Sequence, residues 1–310
     1  MVYFKVITLI KVPRRGIRSI LIATLDFADV IKCNARMITH RQNLRQLATR
    51  TFAVCALFAF SINGFAWSPG GHSAIGMLAM KQLQPEVYDE LQRIVGALDE
   101  EAIVKACNWP DDIRETETWK WSAPQHYINI PRGENDYQRA RDCADGMCAT
   151  EAIKNYAPQI FDDALTSEKR WQAFAWLCHV TGDLHQPMHA AFADDRGGNN
   201  YTVIFKGREM NLHRFWDHEL IDEFSGDWRV LVALLSTTPL KPAASNWSVE
   251  SVDQWTAESH RLAVEKAYPP DQNIEEDFAL QSWVLAQQQI RLAAYRLALI
   301  INSAFEQQEK

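Results

Sequence analysis

No CxxC, no HExxH and no paired Glu-x-x-His occurs in these 310 residues. The first absence speaks against a cysteine zinc site, the second against a zinc protease and the third against ferritin-like di-iron chemistry. Internal repeats, low-complexity runs and long linkers are also missing, which leaves one domain as the economical reading. A long apolar run is lacking too. The candidate at residues 51–66, TFAVCALFAFSINGFA, has 16 residues, short of the roughly 20 a membrane-spanning helix needs.

That run, preceded by Arg41, Arg45 and Arg50, instead has the n-region and h-region of a secretory signal. Gly64 and Ala66 stand at −3 and −1 of a small-residue cleavage site, so the expected leader is 1–66 and the first mature residue Trp67. A leader starting at Met37 has ordinary length, and the expected translation start is there. The domain after the leader then spans 67–310.

Positive charge is scarce once the leader is set aside. The chain has 32 Lys/Arg against 39 Asp/Glu; residues 1–66 hold ten and two of these, leaving 22 against 37, a net −15. Such a balance argues against gripping duplex backbone by counterion release, but not against handling phosphates through bound metal. Four cysteines remain: Cys107, Cys143, Cys148 and Cys178. Cys143 and Cys148 bracket the turn-like ADGM and are expected to form a disulfide in an oxidising compartment.

Apolar residues recur at helical spacing over 72–97, with Pro85 marking a break, and over 149–165, 168–186, 213–224, 228–235, 250–266 and 276–307. YTVIF at 201–205 is the best short strand. The expected class is all-α, a single mostly helical domain.

HVTGDLHQPMH, residues 179–189, holds three histidines and an aspartate. His179 and Asp183, four apart, share one helix face and can converge on one ion. Pro187 ends that helix, so His189 approaches from another direction. NLHRFWD repeats the device with His213 and Asp217. His126 in PQHYINIP, flanked by prolines, reads as extended; Asp111 in NWPDDIR follows a proline, which suits the start of a helix. His72 lies in WSPGGH, where Pro69 and two glycines let the segment fold back. Imidazoles and carboxylates of this kind suit zinc. His185 and His218 are left over, as outer-layer or surface residues.

WSPGGH, NWPDDIR, HYINIP, HVTGDLHQPMH, RGGNN and NLHRFWD, in this order, resemble the S1/P1 nuclease family of trinuclear zinc enzymes, over nearly all of residues 67–305. The set is also similar to bacterial zinc phospholipase C, which shares the helical fold and the three-zinc logic. The five-residue spacing of Trp67 and His72, and an aspartate rather than a glutamate at Asp217, favour the nuclease branch. The resemblance implies three zinc ions: one on Asp111, His126, His179 and Asp183; one on Trp67 (amino group and carbonyl), His72 and Asp183; one on His189, His213 and Asp217. It implies catalytic roles for Asp111, which orients the nucleophile, and Arg114, which meets phosphoryl oxygens. Tyr127, Asn129 and Asn199 become substrate contacts, although the fungal enzymes carry Phe and Asp at the first two, which bears on base preference. Cys107 and Cys178 adjoin ligands of the same implied zinc and form a second candidate disulfide. The implied activity is that of an exported phosphodiesterase cutting single-stranded DNA and RNA to 5′-nucleotides, with 3′-nucleotidase activity, as a periplasmic or secreted monomer free of membrane. A zinc phospholipase C and a non-catalytic metal-binding protein are the alternatives.

Overall fold

The computed structural model describes residues 67–237 and 247–308; the expected leader lies outside them. Helices α1 (Pro69–Met80) and α2 (Pro85–Val95) each begin on a proline, whose fixed φ suits the first turn and whose missing N–H would be unpaired there anyway. WSPGGH is therefore a helix start and not a glycine-hinged fold-back. The N–H groups of Gly71 and His72 both donate to the Ser68 carbonyl, at 2.7 and 3.4 Å.

Helix α3 (Glu100–Ile113) corrects the reading of NWPDDIR. Asp99 caps it by accepting from the Ala102 N–H at 2.9 Å, and Glu100 and Glu101 complement the dipole in its first turn. Pro110 stands inside this helix, and Asp111 is in its last turn, not its first. A proline so near the end removes one N–H and leaves few later bonds to disrupt. His126 likewise closes a 3₁₀ segment, Lys120–His126, and extended backbone begins only at Tyr127.

The single turn α4 (Arg139–Asp142) precedes α5 (Ala149–Tyr156), which Pro158 stops well short of residue 165 by turning the chain into a 3₁₀ stretch, Ala157–Gln159. Helix α6 (Ser167–Leu184), capped by Thr166, is buried on every side from Ala173 onward. A 3₁₀ turn, Pro187–Ala190, follows. Strands β1 (Thr202–Phe205) and β2 (Arg208–Asn211) form an antiparallel hairpin in register Thr202↔Asn211 to Phe205↔Arg208. Its two-residue turn, Lys206-Gly207, has φ of 50° and 73°, the double positive that matches strand twist.

The helix over residues 212–224, α7, opens and closes as α-helix, with a π-helical stretch, Phe215–Glu219, between. Helix α8 (Trp228–Leu235) and helix α9 (Val249–Leu262) come next, α9 running into a π turn, Ala263–Ala267. Strand β3 (Asn273–Ile274) lies parallel to β1 and completes the order β2-β1-β3. Helix α10 (Glu276–Gln308) is about 50 Å long at 1.5 Å per residue.

Helix α6 is the axis of the fold. It packs against α1, α2, α3, α5 and α10, and α1 also lies along α10 and α3. Cys107–Cys178 ties α3 to α6, and Cys143–Cys148 closes the ADGM loop. Among the described residues no helix is long and apolar enough to cross a membrane.

Candidate metal centre

Where α6, the end of α3, the starts of α1 and α7 and the 3₁₀ segments Lys120–His126 and Pro187–Ala190 meet, three groups of ligand-capable side chains are buried: His72, His179 and Asp183; Asp111, His126 and His179; His189, His213 and Asp217. The candidate atoms in each group lie within 4.8 Å of one another. His179 belongs to two of them, and Asp183 links further: its carboxylate is 3.5 Å from His72, 3.1 Å from His126, 3.4 Å from His179 and 3.7 Å from His189. Trp67 is fully buried beneath α1, and the Ser68 N–H donates to the Asp217 carbonyl at 2.8 Å.

Backbone carbonyls set the histidine tautomers. The Nδ1–H of His179 donates to Cys107 O (2.8 Å), that of His189 to His126 O (2.6 Å) and that of His213 to Gly197 O (2.6 Å). A carbonyl only accepts, so each Nδ1 carries a proton and Nε2 is the nitrogen left to face the centre. Two close approaches depend on glycine. A Cβ at Gly182 would come 2.9 Å from His72 Nδ1, and one at Gly197, whose φ is 63°, would come 2.3 Å from the Met188 carbonyl.

Several of these atoms have no protein partner. Both His72 nitrogens, Nε2 of His126 and His189, Oδ1 of Asp183, and Oδ2 of Asp217 are buried without a hydrogen bond. Leaving so many polar atoms unpaired would cost about 1–3 kcal/mol each. Protons partly answer that deficit. Burial pushes the carboxyls of Asp217 and Asp183 up, Asp217 far above the carboxylate range. Burial alone would lower His179, but the carboxylates of Asp183 and Asp111 outweigh it and push it up to about 9. Burial holds His72 and His189 well below the usual imidazole value. Imidazole nitrogens, carboxylates and unpaired lone pairs gathered in a buried centre fit divalent cations better than they fit each other.

Arg114 is buried, with Nη1 3.1 Å from Asp111 Oδ1 and Nε 3.8 Å from Glu115, so it faces the centre and its own helix end at once. Tyr127 is 41% exposed and thus no core tyrosine. With Asn129, Met188, Arg196, Asn199 and His213 it lines a small cavity beside the third group. His185 stands outside the three groups: its Nδ1–H donates to Thr181 O, and its Nε2 accepts from Arg296 at 2.9 Å. His218 is outside them as well.

Sequence reasoning missed Gln186. Its Nε2 donates to Asp217 Oδ1 at 2.5 Å while its Oε1 accepts from the Met188 N–H at 2.6 Å. One buried amide thereby orients a carboxylate and caps the turn that carries His189. Its place between His185 and Pro187, at the expected helix end, was the available signal.

The S1/P1 Nuclease family matches residues 67–306. The chain belongs to that family. Its relatives include Endonuclease 4 of Arabidopsis thaliana, 27% identical over 86% of this chain and 98% of the relative. Nuclease P1 of Penicillium citrinum is 36% identical over 49% of this chain and 57% of its own length. Nuclease S1 of Aspergillus oryzae is 28% identical over 62% and 68%. As an S1/P1 nuclease family member, the chain carries its His/Asp groups wholly within the matched region.

Proposed function

We propose that this chain is an exported, zinc-dependent nuclease that cleaves single-stranded DNA and RNA to 5′-nucleotides and also removes the phosphate of 3′-nucleotides. The buried set of unpaired imidazole nitrogens and carboxylate oxygens, in a nuclease family member, carries the reading. Asp111, His126, His179 and Asp183 would hold one zinc; Trp67 by its amino group and carbonyl, His72 and Asp183 a second; His189, His213 and Asp217 a third. Bound there, zinc supplies Lewis acidity and a water acidic enough to attack phosphorus near neutral pH.

The protein's own groups do the positioning. Asp111, held by Arg114 at 3.1 Å, orients the attacking water. Arg114 presents its remaining donors to the phosphoryl oxygens as charge develops. Tyr127, with Asn129 and Asn199 beside it, offers a half-exposed ring for a base, which only a splayed strand presents. Asn129 is a neutral amide able to donate and accept, which widens the base edges it can meet.

The leader enters the chemistry at Trp67. Inside a precursor its nitrogen is an amide with no lone pair to offer; a free α-amino group, with a pKa near roughly 7.7–8.0, has one. Cleavage after Ala66 would create a ligand. Protein starting at Trp67 is expected to hold three zinc ions and to hydrolyse single-stranded DNA faster than duplex DNA or phosphatidylcholine. Protein with one extra N-terminal residue should lose most activity and part of its zinc. Equal activity and metal content in both forms would remove Trp67 from the ligand set. Phosphatidylcholine as the better substrate would overturn the nuclease assignment, and full activity without metal would overturn the zinc.

A further inference from the structure

Trp121 is the most solvent-exposed tryptophan among the described residues, with half its surface (51%) open. It is not a loose side chain. Its ring stacks on Trp119 at 5.6 Å with 26° between planes. Trp119 is fixed in turn by the edge of Trp109 at 5.1 Å and by Trp176, and Trp109 by the edge of Trp171 at 5.2 Å. The inner end of this aromatic stack touches the centre, for Trp176 meets the His126 ring edge-on at 5.3 Å. An indole backed this way loses little side-chain freedom when a further ring settles on it.

Its place along the chain gives the stack a use. Trp121 and His126 share one 3₁₀ segment, five residues apart, or roughly 10 Å at the 3₁₀ rise. On the other side of His126 stands Tyr127, also exposed. Along the chain, two exposed rings thus flank a residue of the candidate centre. The local charge does not favour a phosphate site: Lys120 is paired to Glu117 at 2.5 Å, and residues 67–310 carry a large negative excess. Base stacking needs no positive charge and tolerates any sequence.

We propose that Trp121 is a second stacking platform, holding a nucleobase of a single-stranded substrate away from the reacting phosphate, so that it acts on oligonucleotides and not on mononucleotides. The proposal rests on the nuclease reading above. The test compares W121A and W121F with the parent protein on oligothymidylate and on a 3′-mononucleotide, with urea midpoints recorded for all three. W121A should raise KM for oligothymidylate about tenfold with kcat little changed, leave the mononucleotide KM alone, and be largely rescued in W121F. Anisotropy of labelled oligothymidylate with EDTA-treated protein should show the same loss of affinity without any turnover.

An unchanged oligothymidylate KM in W121A, or an equal rise for both substrates, would overturn the platform. So would unaltered binding by the EDTA-treated protein, or a W121A defect confined to phosphatidylcholine vesicles. A parent protein that hydrolyses neither nucleic acid nor mononucleotide would instead overturn the nuclease reading, a separate and recognisable result.

Discussion

His179/Asp183 sits on a regular α-helix buried on all sides, whereas His213/Asp217 sits on a helix that opens into a π turn beside a glycine-bearing loop. The two pairs nevertheless bring Nε2 to within 3.4 and 3.3 Å of a carboxylate oxygen. Pair geometry is thus reached on either backbone, and the difference lies in support. The first pair is held by packing and by Cys178, next to His179 and bonded to Cys107. The second is held by polar contacts: Gly197 O on His213, Gln186 on Asp217, and Ser68 N–H on the Asp217 carbonyl. The π turn fits that arrangement, since such turns loosen the helical ladder and recur at functional sites.

The sharpest way to break the comparison is to neutralise one carboxylate from each pair. Asp183 faces four imidazoles, Asp217 two and an amide. D183N should lower kcat/KM on single-stranded DNA by on the order of 10³-fold or more and reduce metal content further than D217N does. Equal, mild losses from both would dissolve the distinction.

Crosslinks come next. C107A/C178A opens a loop of 71 residues and C143A/C148A one of 5, so loop entropy gives losses of about 4 and about 2 kcal/mol. Urea unfolding of both double variants tests the order. A larger loss from the ADGM pair would mean that packing, not the crosslink, secures the first pair.

The smallest effect is expected from Q186A, which removes the donor on Asp217 and the cap of the Pro187–Ala190 turn. Metal affinity at the second pair should fall roughly 10- to 100-fold while the first pair keeps its metal. Titrating metal into chelator-stripped protein separates the two steps, and a loss spread over every step would show the halves to be coupled.

The parts legible in the sequence are those set by local rules. Period 3.6 marked α6, α8 and α10 nearly to their ends, and the four-residue spacing marked both His/Asp pairs. Less legible was whatever a neighbour in space decides. Helix α3 escaped because Pro110 looked like a beginning, though the Asp99 cap and two glutamates lay ten residues upstream. Strand β2, REMN, has no apolar alternation and exists because β1 supplies its hydrogen bonds. Gln186, Gly182 and the carbonyls of Cys107, His126 and Gly197 carry no signature of their own, since their roles arise only once distant segments meet.

The three carbonyls that orient the imidazoles have a consequence for how the protein can change. A main-chain carbonyl is the one hydrogen-bond partner that no codon replacement deletes. At positions 107 and 126 a replaced side chain still leaves the same oxygen, whereas at 197 any Cβ would come 2.3 Å from the Met188 carbonyl, so that oxygen stays in place only while the residue is glycine. Gln186 has no such insurance, because a single base change can replace its amide. Orientation of His179 and His189 is therefore the mutationally sheltered layer of this centre, and Gly197 and the buried amide on Asp217 are where inherited variation would first be felt.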